Sequence, residues 1–143
     1  MRGIAGNTTL FGSDNSRAIA MDAAQGMVSD QYSNLPFWTK QASWKTYLLP
    51  VNPTTTSRTL TVNVYDDGAV LRGTSVAALS ARDMNLLEIS SLGGTATFGG
   101  AEVLISGRGF VGWVAGFNSA SMELFFYGLP LFFASTSQLG VGD

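Results

Sequence analysis

The sequence contains no cysteine and no histidine. Without cysteine there is no disulfide stapling, thiolate metal site, iron–sulfur cluster or thiol nucleophile. Without histidine there is no Ser-His-Asp triad, imidazole zinc site or histidine-held haem. Charge is scarce as well: 13% of the 143 residues carry one, against about 25% in an ordinary soluble domain. The eight Lys and Arg residues are scattered and the net charge is −2, so no basic stripe follows a phosphate backbone, and nucleic-acid binding is not expected. No apolar run reaches the roughly 20 residues of a spanning helix. The opening stretch "MRGIAGNTTLFGSDNSRAIAMD" lacks a continuous apolar core, so no export signal is expected in the chain as it stands.

Hydrophobic residues make up 45% of the chain and mean hydropathy is positive. A lone molecule with this balance has few solvated groups to spread over its surface, which points to burial against a partner. Residues 1–34 are small, polar and aperiodic and read as an N-terminal arm. Within them, "SRAIAMDAAQGMVSD" (16–30) suits either a short helix or an extended segment. "SNLPFWTKQ" reads as a connector broken by Pro36. Residues 35–143 form the regular body. "WKTYLLPV" is a strand ending in the turn cluster "NPTTTS". "RTLTVNVYDDG" alternates, with Leu60, Val62 and Val64 on one face, and ends in a tight-turn signal at Asp66-Asp67-Gly68. "AVLRGTSVAAL" and "NLLEISSL" supply further short strands, and "GGTATFGG" is a loose segment. "AEVLISGRGFVGWVAGF" (101–117) reads as a hairpin about a glycine turn; Gly112 and Gly116 weaken its second strand unless a bulge or a close neighbour requires them. About seven strands spaced by about 8–12 residues indicate an all-β fold, an antiparallel β-sandwich or small barrel.

The stretch "TYLLPVNPTTTSRTLTVNVYDDGAVL" (46–71) resembles immunoglobulin-like β-sandwich modules of bacterial and archaeal exported or cell-surface proteins. The residues that carry the likeness are Tyr47, Val51, Asn52, Pro53, Val62, Val64, Tyr65, Asp66 and Gly68. "NLLEISSLGG" and the 101–117 stretch look like the distal strands of such modules, so the likeness spans about residues 35–128. It implies an immunoglobulin-like sandwich, an extracellular or cell-surface location, and a structural or adhesive role without a shared catalytic site.

Chemistry-bearing constellations are weak. Asp66 and Asp67 before a glycine permit a calcium or catalytic-carboxylate reading, but a solvated turn explains them. Asp83 and Glu88 fall on opposite faces of an extended segment, unsuited to a paired acid and base. A Ser/Lys pair would have to use Lys40 or Lys45, and no motif marks its serine. The glycine-bounded segments lack the Lys-Ser/Thr ending of a phosphate loop. Asn7-Thr8-Thr9 fits an N-glycosylation acceptor, a short pattern that also arises by chance. Trp38 and Trp44 flank a connector and are candidates for a ligand platform that stacks on a sugar, with packing as the simpler role; Trp113 reads as packed. The expectation is no enzyme activity, no metal and no cofactor.

The C-terminal run "MELFFYGLPLFF" (122–133) is the distinctive feature. In a strand, Leu124, Phe126 and Gly128 share one face and Phe125, Tyr127 and Leu129 the other, and Leu131, Phe132 and Phe133 continue without polar relief. Both faces are apolar and both need cover. Each large side chain left in water forfeits about 1.5–3 kcal/mol. The run is therefore expected to form a subunit interface together with Ile4, Leu10 and Phe11 of an arm; the alternative is that the chain's own arm covers it. The expected partner is further copies of the same chain, joined by strand addition into a filament, sheath or surface array. An adhesive or carbohydrate-binding surface module in contact with glycans is the alternative reading, and a viral coat or tail component the third.

Overall fold

The computed structural model describes residues 7–11, 18–22, 30–108 and 111–129. They form an all-β molecule of antiparallel pairs. β1 (Asn7–Phe11) pairs with β2 (Ala18–Asp22) as a two-stranded sheet. The ambiguous 16–30 stretch is thus extended over residues 18–22. The remaining strands are β3 (Asp30–Thr39), β4 (Trp44–Asn52), β5 (Arg58–Asp66), β6 (Leu71–Leu79), the short β7 (Asp83–Met84) and β8 (Leu87–Glu88), β9 (Phe98–Arg108), β10 (Val111–Asn118) and β11 (Leu124–Gly128).

They build two sheets. Sheet I has the order β3-β9-β5-β6; sheet II has β11-β10-β4, with β7 and β8 both pairing with β4 along its far edge. Leu35, Trp38, Leu60, Val62, Val64, Leu79, Val103 and Ile105 from sheet I meet Leu48 and Val114 from sheet II in one buried core, with Ile89 and Leu129. This is a β-sandwich. Its core follows from the period-two pattern: in β5 every second residue from Leu60 to Asp66 is buried.

Three expectations are corrected. Residues 101–117 are not a hairpin: β9 pairs with β3 and β5, whereas β10 pairs with β4 and β11. Both strands are apolar enough to occupy interior positions, and each is central in its own sheet, so the chain crosses between layers there. "SNLPFWT" of the expected connector "SNLPFWTKQ" belongs to β3, and only Lys40 and Gln41 lie beyond it. Pro36 sits where the β3–β9 register shifts, between Leu35 and Trp38, a bulge that tolerates its missing N–H. The arm boundary at residue 34 therefore falls inside β3. "NLLEISSL" gives two residues of strand, then a 3-10 turn over Ile89–Gly93 that plugs the core with Ile89.

Pro50 explains why the far edge of sheet II is split. Its carbonyl accepts from Asn85 N–H at 3.1 Å, so its backbone faces that edge, and it has no N–H to offer there. β8 pairs with Tyr47 and Leu48, β7 with Val51 and Asn52, leaving the proline between them. At the β3–β4 corner, Thr46 Oγ1 accepts from Thr39 N–H at 2.9 Å and donates to Thr39 O at 2.8 Å, tying the two layers together.

Candidate functional site

Sheet II has two apolar faces. On the inner face of β11, Phe125 and Tyr127 pack against the main core. On the opposite face, Phe126 packs with Tyr47, Val51 and Ala115 around buried Leu49 and Trp113 in a second cluster. The register places these side chains in rows: Tyr47, Ala115 and Phe126 are aligned across β4, β10 and β11; Leu49 is opposite Trp113; Val51 is opposite Met84. Met84 is 58% exposed. The polar relief at the rim is Lys45 bound to Glu88 at 3.3 Å. Trp113 is buried, yet its indole N–H has no hydrogen-bond partner among the described residues, and a buried donor of this kind calls for an acceptor.

The alternation read from "MELFFY" is therefore seen in the fold, and it assigns the faces. Phe125 and Tyr127 look inward and Phe126 outward, Leu129 is buried in the core, and Leu124 is half-buried beside Phe117 in the register. Gly116 is required by this strand: Phe125 lies directly over it, and a Cβ there would collide with the ring. Leu131, Phe132, Phe133 and Ile4 lie outside the described residues. Leu10 and Phe11 lie in β1, opposite Ile19 and Ala18.

A second feature joins the two layers at one side of the sandwich. The Tyr127 hydroxyl donates to the Phe37 carbonyl at 2.5 Å, and burial pushes its phenol well above the usual range. The Phe125 ring lies 5.4 Å from Trp44, 6.1 Å from Phe37 and 6.2 Å from Tyr127. Phe37, on the β3 bulge, is 44% exposed. Sequence reasoning did not single it out; the signal was Pro36, whose bulge turns its neighbour outward.

The sugar-platform expectation is corrected for one of its two residues. Trp38 is fully buried, its indole N–H shared between Tyr65 O at 2.9 Å and Gly100 O at 3.0 Å, with Gly93 against the ring. It offers no face to a sugar. Trp44 is half-buried against Phe125. The Asp66 turn is not simply solvated. Its carboxylate accepts from Gly68 N–H at 2.9 Å, Val70 N–H at 2.8 Å and Arg72 Nε at 2.7 Å. The Val70 amide, followed by the Arg72 side chain, holds its carboxyl below the ordinary value. Asp67 beside it is exposed.

Sheet I carries a shallow groove of about 580 Å³ lined by Asn34, Pro36, Tyr65, Asp67 and Glu102 among others. There Tyr65 Oη donates to Glu102 at 2.7 Å. Lys40 bonds the Gly94 carbonyl and Lys45 bonds Glu88, so both lysines serve structural contacts. Among the described residues, no group of acidic side chains is arranged to hold a metal ion, and no helix is long and apolar enough to cross a membrane. Set against protein families, curated proteins and solved structures, the chain matches none.

Proposed function

We propose that this chain is a structural, self-assembling subunit of an extracellular filament, sheath or surface array, with no catalytic role. The observation that carries the reading is the second apolar face of sheet II. A sandwich needs one apolar face per sheet, and here Tyr47, Leu49, Val51, Trp113, Ala115 and Phe126 make another. A neighbouring copy that covers the rim of this cluster would bury exposed Met84 and the remaining surface of half-buried Phe126 and Tyr47, where full burial of one exposed side chain of this size is worth about 1.5–3 kcal/mol. The kinship to immunoglobulin-like surface modules enters at the level of sandwich architecture, supported by the Val51-Asn52-Pro53 turn. There the Asn52 amide donates to Thr56 O, Leu79 O and Ser80 O and closes the β4–β5 crossover.

The test is negative-stain microscopy with sedimentation of the protein and its Phe126→Asp variant. Phe126 is the correct residue to change, because Phe125 faces the core and its loss would break the fold. The expected result is ordered assemblies for the parent, and for the variant folded species no larger than a pair of subunits, with an unchanged β-type circular dichroism spectrum. Assemblies of normal length in the variant would overturn the proposal. Closed shells in place of fibres would select the coat-protein reading. The adhesive reading draws on exposed Phe37 and half-buried Trp44, both near the Phe125 ring; glycan binding lost in Trp44→Ala would favour it.

A further inference from the structure

We infer that β6 is a second, independent contact, through which two copies pair edge to edge about a two-fold axis into one continuous eight-stranded sheet. β6 is the end strand of sheet I and, among the described residues, pairs only with β5. Its free side can be identified. Asp66 N–H bonds Val70 O, and Ala69 N–H bonds Asp66 O, so the backbone groups of Asp66 face β6. Strand groups alternate in direction, so Val64, Val62 and Leu60 also face β6, opposite Gly73, Ser75 and Ala77. The backbone N–H and C=O of Thr74, Val76 and Ala78 therefore point away from the sheet. Val76 is 65% exposed, and Val70 and Leu71 are 52% exposed at the same edge.

Edge strands that must stay single carry lysine, proline or a mid-strand bulge. β6 has no lysine and no proline over its nine residues. Its register irregularity lies at one end, beside Tyr65. Its one charge, Arg72, is neutralised by Asp66. The occupant that fits is another β6, because "LRGTSVAAL" is self-complementary when run antiparallel about Ser75. Thr74 then faces Val76, Gly73 faces Ala77, Arg72 faces Ala78 and Leu71 faces Leu79. No like charges oppose one another, the crowded positions hold small residues, and the half-exposed Leu71 is set opposite another leucine. Ser75 meets its own symmetry mate at a non-hydrogen-bonded position, where Cβ atoms lie about 4.5–5.5 Å apart.

This contact does not depend on the apolar face of sheet II, and its test uses the Phe126→Asp background, where that face is disabled. Sedimentation equilibrium should then give a species of twice the 15.1 kDa protomer mass. Adding Val76→Pro should halve that mass with the fold retained, since the Val76 N–H is unused within the protomer. The chain has no native cysteine, so Ser75→Cys in the same background should give a disulfide-linked dimer under mild oxidation. Single protomers at every concentration, together with a Ser75→Cys thiol that stays free, would overturn the inference. So would a dimer that Val76→Pro leaves intact.

Discussion

The outer faces of the two sheets differ in chemistry although their inner faces share one core. On sheet I, Thr74 Oγ1 donates to Asn63 Oδ1 at 2.9 Å, Asn63 Nδ2 donates to Glu102 at 3.4 Å and Tyr65 Oη donates to Glu102 at 2.7 Å, a polar lacing across three strands. On sheet II the corresponding rows are Tyr47, Ala115 and Phe126, then Leu49 and Trp113. Folding requires only the inner faces to be apolar, so sheet I has the composition that folding alone explains. The surplus on sheet II lies outside that requirement, and for this reason we propose that it serves assembly.

The contrast can be broken most severely from inside. Trp38→Ala should remove about 3–5 kcal/mol of stability in chemical denaturation. The variant loses the largest buried side chain of the core and strands the carbonyls of Tyr65 and Gly100. A change near zero would mean that the inner face is not what holds the sandwich. Asp66→Asn is expected to act more gently and with a definite pH dependence. The folded carboxyl lies below its ordinary value of 3.8. Its contribution is therefore present above that value and is lost as pH falls through the lower folded one. The variant should be less stable than the parent at neutral pH, with the gap closing in strong acid; denaturation curves at both pH values check the sign. The smallest effect is expected for Thr61→Val on the outer face of sheet I. Stability should move by no more than about 0.5 kcal/mol, and light scattering should show no new association, because the Asn63–Glu102–Tyr65 lacing remains beside it. Association there would show that sheet I, too, is close to becoming an adhesive face.

What the sequence disclosed and what it hid follow from the range of the interactions. The alternation in "RTLTVNV" and "LFFY" is local and reads directly into β5 and β11, including which residues of β11 share a face. The turn at Asp66 is local too, and β5 and β6 do form the hairpin it announces. Pairing partners are not local. β9 and β10 follow one another around glycines yet lie in different sheets, because each is apolar enough to need neighbours on both sides. Pro36 looks like a break and is a bulge, since an edge strand has a side on which a missing N–H goes unnoticed. Trp38 looked available and is buried, because the same bulge turns Phe37 outward in its place. For the candidate interface, the apolar character of residues 124–129 was legible. The patch it joins on β4 and β10 was not, because only the sheet order brings Leu49, Trp113 and Phe126 together.

The bond between the Tyr127 hydroxyl and the Phe37 carbonyl spans 90 positions of chain. During synthesis β3 leaves the ribosome first, and at ordinary elongation speeds of about 5–20 residues per second its rim stays uncapped for roughly 5–20 s before Tyr127 emerges. For that interval the nascent protein carries an open aromatic seam, and neighbouring chains on one messenger would be close enough to reach it. If the proposed assembly holds, the chain is receptive to its own kind during its manufacture, and the arrival of β11 ends that period.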